Sequence, residues 1–106
     1  MAMHPAGRGY VIPPIPAFED AAGEVYAELL DLLVTKQNDY GPHAINRAPG
    51  GAINGINVRL HDKYERLRNL TYTGTDPAHE SVRDTYRDLA NYAVIALMVI
   101  DGTWPQ

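Results

Sequence analysis

The chain contains no cysteine, a single tryptophan and a single phenylalanine. Without cysteine, a disulfide framework and a thiolate zinc site are excluded, and a reducing cytoplasm is the expected compartment. Positive charge is also in short supply. Nine Lys and Arg face thirteen Asp and Glu, for a net charge of −4. That balance argues against tracking long nucleic acid through its phosphate backbone. A single nucleotide remains open, because its phosphates need only a few local cations. No apolar run is long enough for a membrane. Residues 89–100 are apolar except for Asn91, but as helix they cover about 18 Å, whereas a span needs roughly 20 apolar residues. The N-terminus lacks the basic-then-apolar pattern of a secretion signal. With 106 residues, the chain holds one small domain, which buries roughly 60–70% of its unfolded surface.

Proline and glycine are frequent but unevenly placed. Pro5, Pro13, Pro14 and Pro16, with Gly7 and Gly9, mark residues 1–17 as an extended arm rather than a helix, with a purely disordered tail as the equal alternative. A single domain over 18–102 and a short tail over 103–106 follow. The first helix is predicted from Phe18 to Asn38, with Val25, Leu29, Leu32 and Leu33 as its apolar stripe and Glu24, Glu28 and Asp31 as an acidic one. Asp39-Tyr40-Gly41-Pro42 breaks it. Residues 41–52 form the long internal loop, a length often used for function. Ile53, Ile56, Leu60, Tyr64, Leu67 and Leu70 recur at helical period and predict a second helix over 53–70. Asp76 and Pro77 supply an N-cap and a first-turn proline for a third, which runs to Asp101 with Gly102 as its stop. Trp104 carries no readable pattern. The fold class is therefore all-α, with three main helices. The third is apolar almost all round in its second half, so a homo-oligomer, dimer or tetramer, with this helix in a shared core is the economical solution.

Helix-spaced acids lead into that apolar half. At about 100° per residue, Glu80, Asp84, Asp88 and Asn91 share one narrow stripe, and its continuation meets Ile95 and Met98. Unpaired buried carboxylates cost several kcal/mol each, so such a row calls for cations opposite it. In an antiparallel hairpin of the second and third helices, Asp62 and Glu65 would face Asp84 and Asp88. Oxygen ligands of this kind suit magnesium together with substrate phosphates and water. Lys36, Arg59, Lys63 and Arg66 lie on adjoining faces, placed to take phosphate charge. Ordinary ion pairing competes with this reading, since Asp84 with Arg87, and Asp62 with Arg59 or Arg66, have helical pair spacing, and Arg83 adjoins Asp84 in sequence. Lys63 can equally snorkel outward. His61-Asp62 is a histidine–aspartate dipeptide of the kind found in metal phosphohydrolases, with His43 as the earlier histidine, but His4, His43 and His79 form no ligand cluster. No serine or threonine has a base beside it to support nucleophilic catalysis.

The runs Lys36-x-x-Asp39-Tyr40-Gly41, Arg59-x-x-Asp62-Lys63-x-x-Arg66-x-x-Asn69-Leu70 and Glu80-Ser81-x-x-Asp84-x-x-x-Asp88-Leu89-Ala90-Asn91-Tyr92 resemble the nucleotide modification associated domain 1 family over residues 30–100. That family is common in bacteriophages and implies nucleotides without implying a reaction. More distantly, the layout is similar to all-α nucleoside triphosphate pyrophosphohydrolases of the MazG and dimeric dUTPase type. Those carry one acidic pair on each of two helices and bind magnesium. Asp62-x-x-Glu65 fits the first pair, whereas Asp84 and Asp88 are four apart rather than three.

The resemblance implies a nucleotide as ligand and two functional expectations. In the first, an enzyme holds Mg2+ on Asp62, Glu65, Glu80, Asp84 and Asp88, with Asp84 and Asp88 catalytic. Lys36, Arg59, Lys63 and Arg66 bind phosphates, Tyr40 and Asn91 contact base or sugar, and a nucleoside triphosphate is cleaved to monophosphate and pyrophosphate. In the second, the same pocket only sequesters a nucleotide, as a sponge for a signalling nucleotide of host defence if the protein is viral. Its location would then be the host cytoplasm. A structural helical oligomer without a ligand is the third possibility.

Overall fold

A computed structural model describes residues 15–74 and 80–106, all helical or irregular, with no strand among them. The helices are α1 (Ile15–Tyr40), α2 (His43–Asn46), α3 (Ala52–Thr73) and α4 (Glu80–Asp101). The helix α1 starts at Ile15, so the last three residues of the expected arm are helical. Residues 1–14, with His4, lie outside the described residues, as do Asp76, Pro77 and His79. The expected loop 41–52 contains the single turn α2, which buries Ile45.

The helices α3 and α4 form the expected antiparallel hairpin. Near its closed end Arg66 Nε donates to Thr85 Oγ1 at 3.2 Å, while at the open end Ile56 and Ile95 share the core. Thr85 is buried because its hydroxyl is doubly used, accepting from Arg66 and donating to the Ser81 carbonyl at 2.6 Å. The helix α1 leans on α4, where Asn91 Nδ2 donates to the Leu29 carbonyl at 3.0 Å. That bond satisfies a buried amide and fixes the level at which the two helices cross.

The core is small: Ile45, Ile56, Ile95 and Trp104, flanked by Leu33, Leu60, Tyr92 and Val99. Two local devices close it. Gly102, at φ +76°, ends α4 in a left-handed turn that favours glycine. The amides of Thr103 and Trp104 then fold back onto the Met98 carbonyl at 2.8 and 3.2 Å. This turn returns Trp104 to the core, and Asn46 Nδ2 holds the tail by donating to the Pro105 carbonyl at 2.7 Å. The second device is Gly55 of α3, where a Cβ would collide with the Ala48 methyl. Only glycine lets the 47–51 segment pass that close.

Much apolar surface remains uncovered in the single chain. Tyr26, Leu30 and Val34 of α1 are exposed, as are Tyr86, Leu97 and Ile100 on the outer side of α4. None of the described helices is long and apolar enough to cross a membrane.

Candidate functional site

Between α1, the α2 turn and the α3–α4 hairpin lies a cavity of about 300 Å3. Its apolar wall is Leu33, Ile45, Tyr92, Ile95 and Trp104, and its polar wall is Lys36, Arg59, Lys63, Asp88 and Asn91, with Tyr40 and Gly41 at one edge. Each side chain arrives for a local reason. Lys36 sits one turn before the end of α1, on the side of Leu29 and Leu33. Arg59 and Lys63 are four apart on α3, one above the other on the same face. Asp88 comes from α4, one turn before Asn91.

Asp88 is the electrostatic centre of this wall. Its Oδ1 lies 3.4 Å from Lys36 Nζ and its Oδ2 lies 3.2 Å from Lys63 Nζ. One carboxylate thus bridges α1 and α3 while its own side chain is 20% exposed. The inward-facing acid that the stripe required is present, with protein cations as its partners. Lys63 does not snorkel to bulk solvent. Arg59 has no hydrogen-bond or ion-pair partner among the described residues, and its guanidinium passes beside Gly55. A second depression shares Arg59, Lys63 and Tyr92 with the cavity and adds Asp62 and Arg66. The four expected phosphate-binding cations therefore line two adjoining hollows, and Tyr40 and Asn91 line the first. Asn91 also has the structural duty of its bond to Leu29.

The expected magnesium set is not gathered within the chain. Asp62, Glu65, Glu80 and Asp84 are all exposed, and among the described residues no three His, Asp or Glu form a metal-holding group. Glu65 pairs with Arg68 at 3.2 Å. Asp84 is 68% exposed and stands 4.0 Å from Arg87, the ordinary helical ion pair. Helical period fixes the side on which Glu80 and Asp84 emerge, but not how far a neighbouring helix follows that side. The helix α1 covers Asp88 and Asn91 and then, one turn further, presents Glu28 to arginines instead of approaching Asp84. His43 and His61 are both exposed and neither lines the cavity, and among the described residues they join no metal-holding group.

That Glu28 cluster is absent from the sequence reading, which placed Glu28 only on an acidic stripe of the first helix. Arg83 grips both carboxylate oxygens of Glu28, with Nη2 2.7 Å from Oε1, and Arg87 adds a bond of 2.9 Å. The bidentate hydrogen bonds from Arg83, reinforced by the charges of both arginines, hold the Glu28 carboxyl down at about 2, and Glu28 in turn raises the Arg83 pKa. Its sequence signal was charge complementarity, acids on one side of α1 against Arg83 and Arg87 one turn apart on α4. Trp104 was missed for a different reason: nothing in four tail residues foretells the fold-back at Gly102. It is 6% exposed, and its indole N–H has no hydrogen-bond partner among the described residues.

Neither a curated protein nor a solved structure gives a significant match to this chain. A family model does, over residues 36–100, a segment that runs from the first cavity lysine through α3 and nearly to the end of α4. With well over half of its length matched, and with Lys36, Arg59, Lys63, Asp88 and Asn91 all inside the match, the chain belongs to the nucleotide modification associated domain 1 family.

Proposed function

We propose that this protein binds a nucleotide in the cavity between α1 and the α3–α4 hairpin. Lys36, Arg59 and Lys63 would hold phosphate oxygens, and the apolar wall with Tyr40 and Tyr92 would take the base and sugar. The observation that carries this reading is the convergence of three cations from two helices on one apolar hollow in a chain of net charge −4. Pockets of roughly 300–1,000 Å3 suit small ligands, with an apolar lining and a few polar groups to fix orientation. Arg59, without a hydrogen-bond or ion-pair partner among the described residues, offers a planar fork that matches phosphate geometry. Family membership supports a nucleotide as the ligand class.

Binding without turnover is the reading that this geometry supports best, because the cavity carboxylate is already engaged by two lysines. Hydrolysis of a nucleoside triphosphate with Mg2+ is the second reading, and one observation favours it. Asp62 borders the hollow into which phosphates would extend, beside Arg59 and Arg66, and a carboxylate there is placed to share a magnesium ion with phosphate oxygens.

One experiment separates the two. Purified protein is incubated with mixed nucleotides in the presence of Mg2+, then heat-denatured, and the supernatant is resolved by anion exchange. Release of an intact, retained nucleotide supports binding, and appearance of monophosphate and pyrophosphate supports hydrolysis. Failure to retain or alter any nucleotide would refute both.

A further inference from the structure

The charge inventory of the two adjoining hollows points to the phosphate number of the ligand. This step rests on the nucleotide-binding reading above. Lys36, Arg59, Lys63 and Arg66 line the combined surface, together with Asp62 and Asp88. Four cations against two carboxylates leave two positive charges in excess. A phosphomonoester carries about 1.5 to 2 negative charges near neutral pH, with its second ionisation near pH 6. We infer that the site, on its own residues, is matched to a nucleoside monophosphate, and that a triphosphate is accepted only when it brings a divalent cation.

The argument is one of neutralisation in a confined place. Asp88 is mostly enclosed and sits between the two lysines that an incoming phosphate would use. Each added phosphate oxygen therefore shares Lys36 and Lys63 with the Asp88 carboxylate. One dianionic group balances the excess. A triphosphate brings about twice that charge, and the surplus faces Asp88 and Asp62 with no further cation among the lining residues. Like charges brought together across an interface are strongly disfavoured. Magnesium bound to the phosphates removes that surplus and needs few protein ligands, since it keeps its waters and the phosphate oxygens. The first hollow, about 300 Å3, is small on the scale of ligand sites, and the adjoining one, about 430 Å3, brings Arg66 and Asp62; charge rather than volume sets the preference.

The test is calorimetric titration of the full chain with nucleosides, nucleoside monophosphates and nucleoside triphosphates of the common bases, first in EDTA and then in Mg2+. Titrants recovered from the Mg2+ arm are checked for integrity by anion exchange. The expected result is a monophosphate that binds equally in both buffers. The triphosphate of the same base binds about tenfold or more weakly in EDTA and recovers in Mg2+. Asp88→Asn, which adds one unit to the positive excess, should narrow that gap in EDTA. A triphosphate that binds more tightly than the monophosphate in EDTA, or a gap unmoved by D88N, would overturn the inference while leaving nucleotide binding intact. An uncharged nucleoside that binds as well as its monophosphate would overturn it too. If no compound binds in either buffer, the nucleotide-binding reading itself falls.

Discussion

Asp88→Asn should do two opposite things, and their opposition is the informative part. In the free protein the carboxylate holds Lys36 Nζ at 3.4 Å and Lys63 Nζ at 3.2 Å. Its side chain is 20% exposed, against 49% for Lys36 and 32% for Lys63. Breaking a buried pair costs about 3–5 kcal/mol, whereas exposed pairs are worth about 0–1 kcal/mol. An enclosed acid with half-exposed lysines falls between those limits, at about 1–2 kcal/mol. In a domain of this size that lowers Tm by about 4–9 °C. The affinity for a phosphate ligand should instead rise, because both lysines are released to it. Thermal melts of the two proteins with and without nucleotide measure both effects. Raising salt from 0.1 to 1 M shortens the screening length from about 10 to 3 Å, so the difference between the free proteins should shrink. A variant that melts like the parent and binds no better would show that Asp88 is an ordinary solvated acid.

Three further outcomes are expected. Glu28, held at about 2 against an ordinary value of 4.5, contributes stability that is complete above about pH 4.5 and is lost as pH falls from there toward 2; Glu28→Gln should remove that part of the acid-unfolding profile measured by circular dichroism, and an unchanged profile would refute the bridge. Gly55→Ala gains helix propensity of about 1 kcal/mol, but its new Cβ meets the Ala48 methyl, and overpacking of that kind costs about 1–3 kcal/mol. A net loss in urea unfolding is expected, with weaker nucleotide binding because the 41–51 segment is displaced, and a net gain would show that the segment yields freely. Leu97 and Ile100 are 60% and 71% exposed on the outer side of α4, a face of Tyr86, Ala93, Leu97 and Ile100 that carries no charge, so a second copy of the chain should cover it. Light scattering should report a dimer or larger, and Leu97→Lys a monomer; a monomeric parent chain would contradict this.

Helix identity was legible because apolar residues recur at 3.6-residue spacing in each long element, and because Gly41-Pro42 and Gly102 punctuate α1 and α4. The hairpin of α3 and α4 was legible as well, since two amphipathic helices joined by a short turn must bury their stripes together. The cations expected to bind phosphate were readable as residue types on adjoining faces, and Lys36, Arg59 and Lys63 do converge on one cavity. What sequence could not supply was where α1 lies along α4. The acids of the stripe look equivalent in a helical projection, yet α1 encloses Asp88 and Asn91 and leaves Glu80 and Asp84 in solvent. That difference depends on the crossing fixed by Asn91 and Leu29 and on the Glu28 cluster, both contacts between residues more than fifty apart in the chain. Trp104 was illegible for a similar reason, because its burial depends on the direction the chain takes after one left-handed glycine.

Trp104 is the sole tryptophan of the chain and stands in the cavity wall, so its fluorescence reports directly on whether that cavity takes a nucleotide. A saturable change in emission on titration with nucleotide is expected, with affinity falling as salt rises and lost in Lys36→Gln/Lys63→Gln at unchanged helicity. Saturable binding that is indifferent to both lysines and to salt, or no change at all with any nucleotide, would contradict the assignment of the cavity.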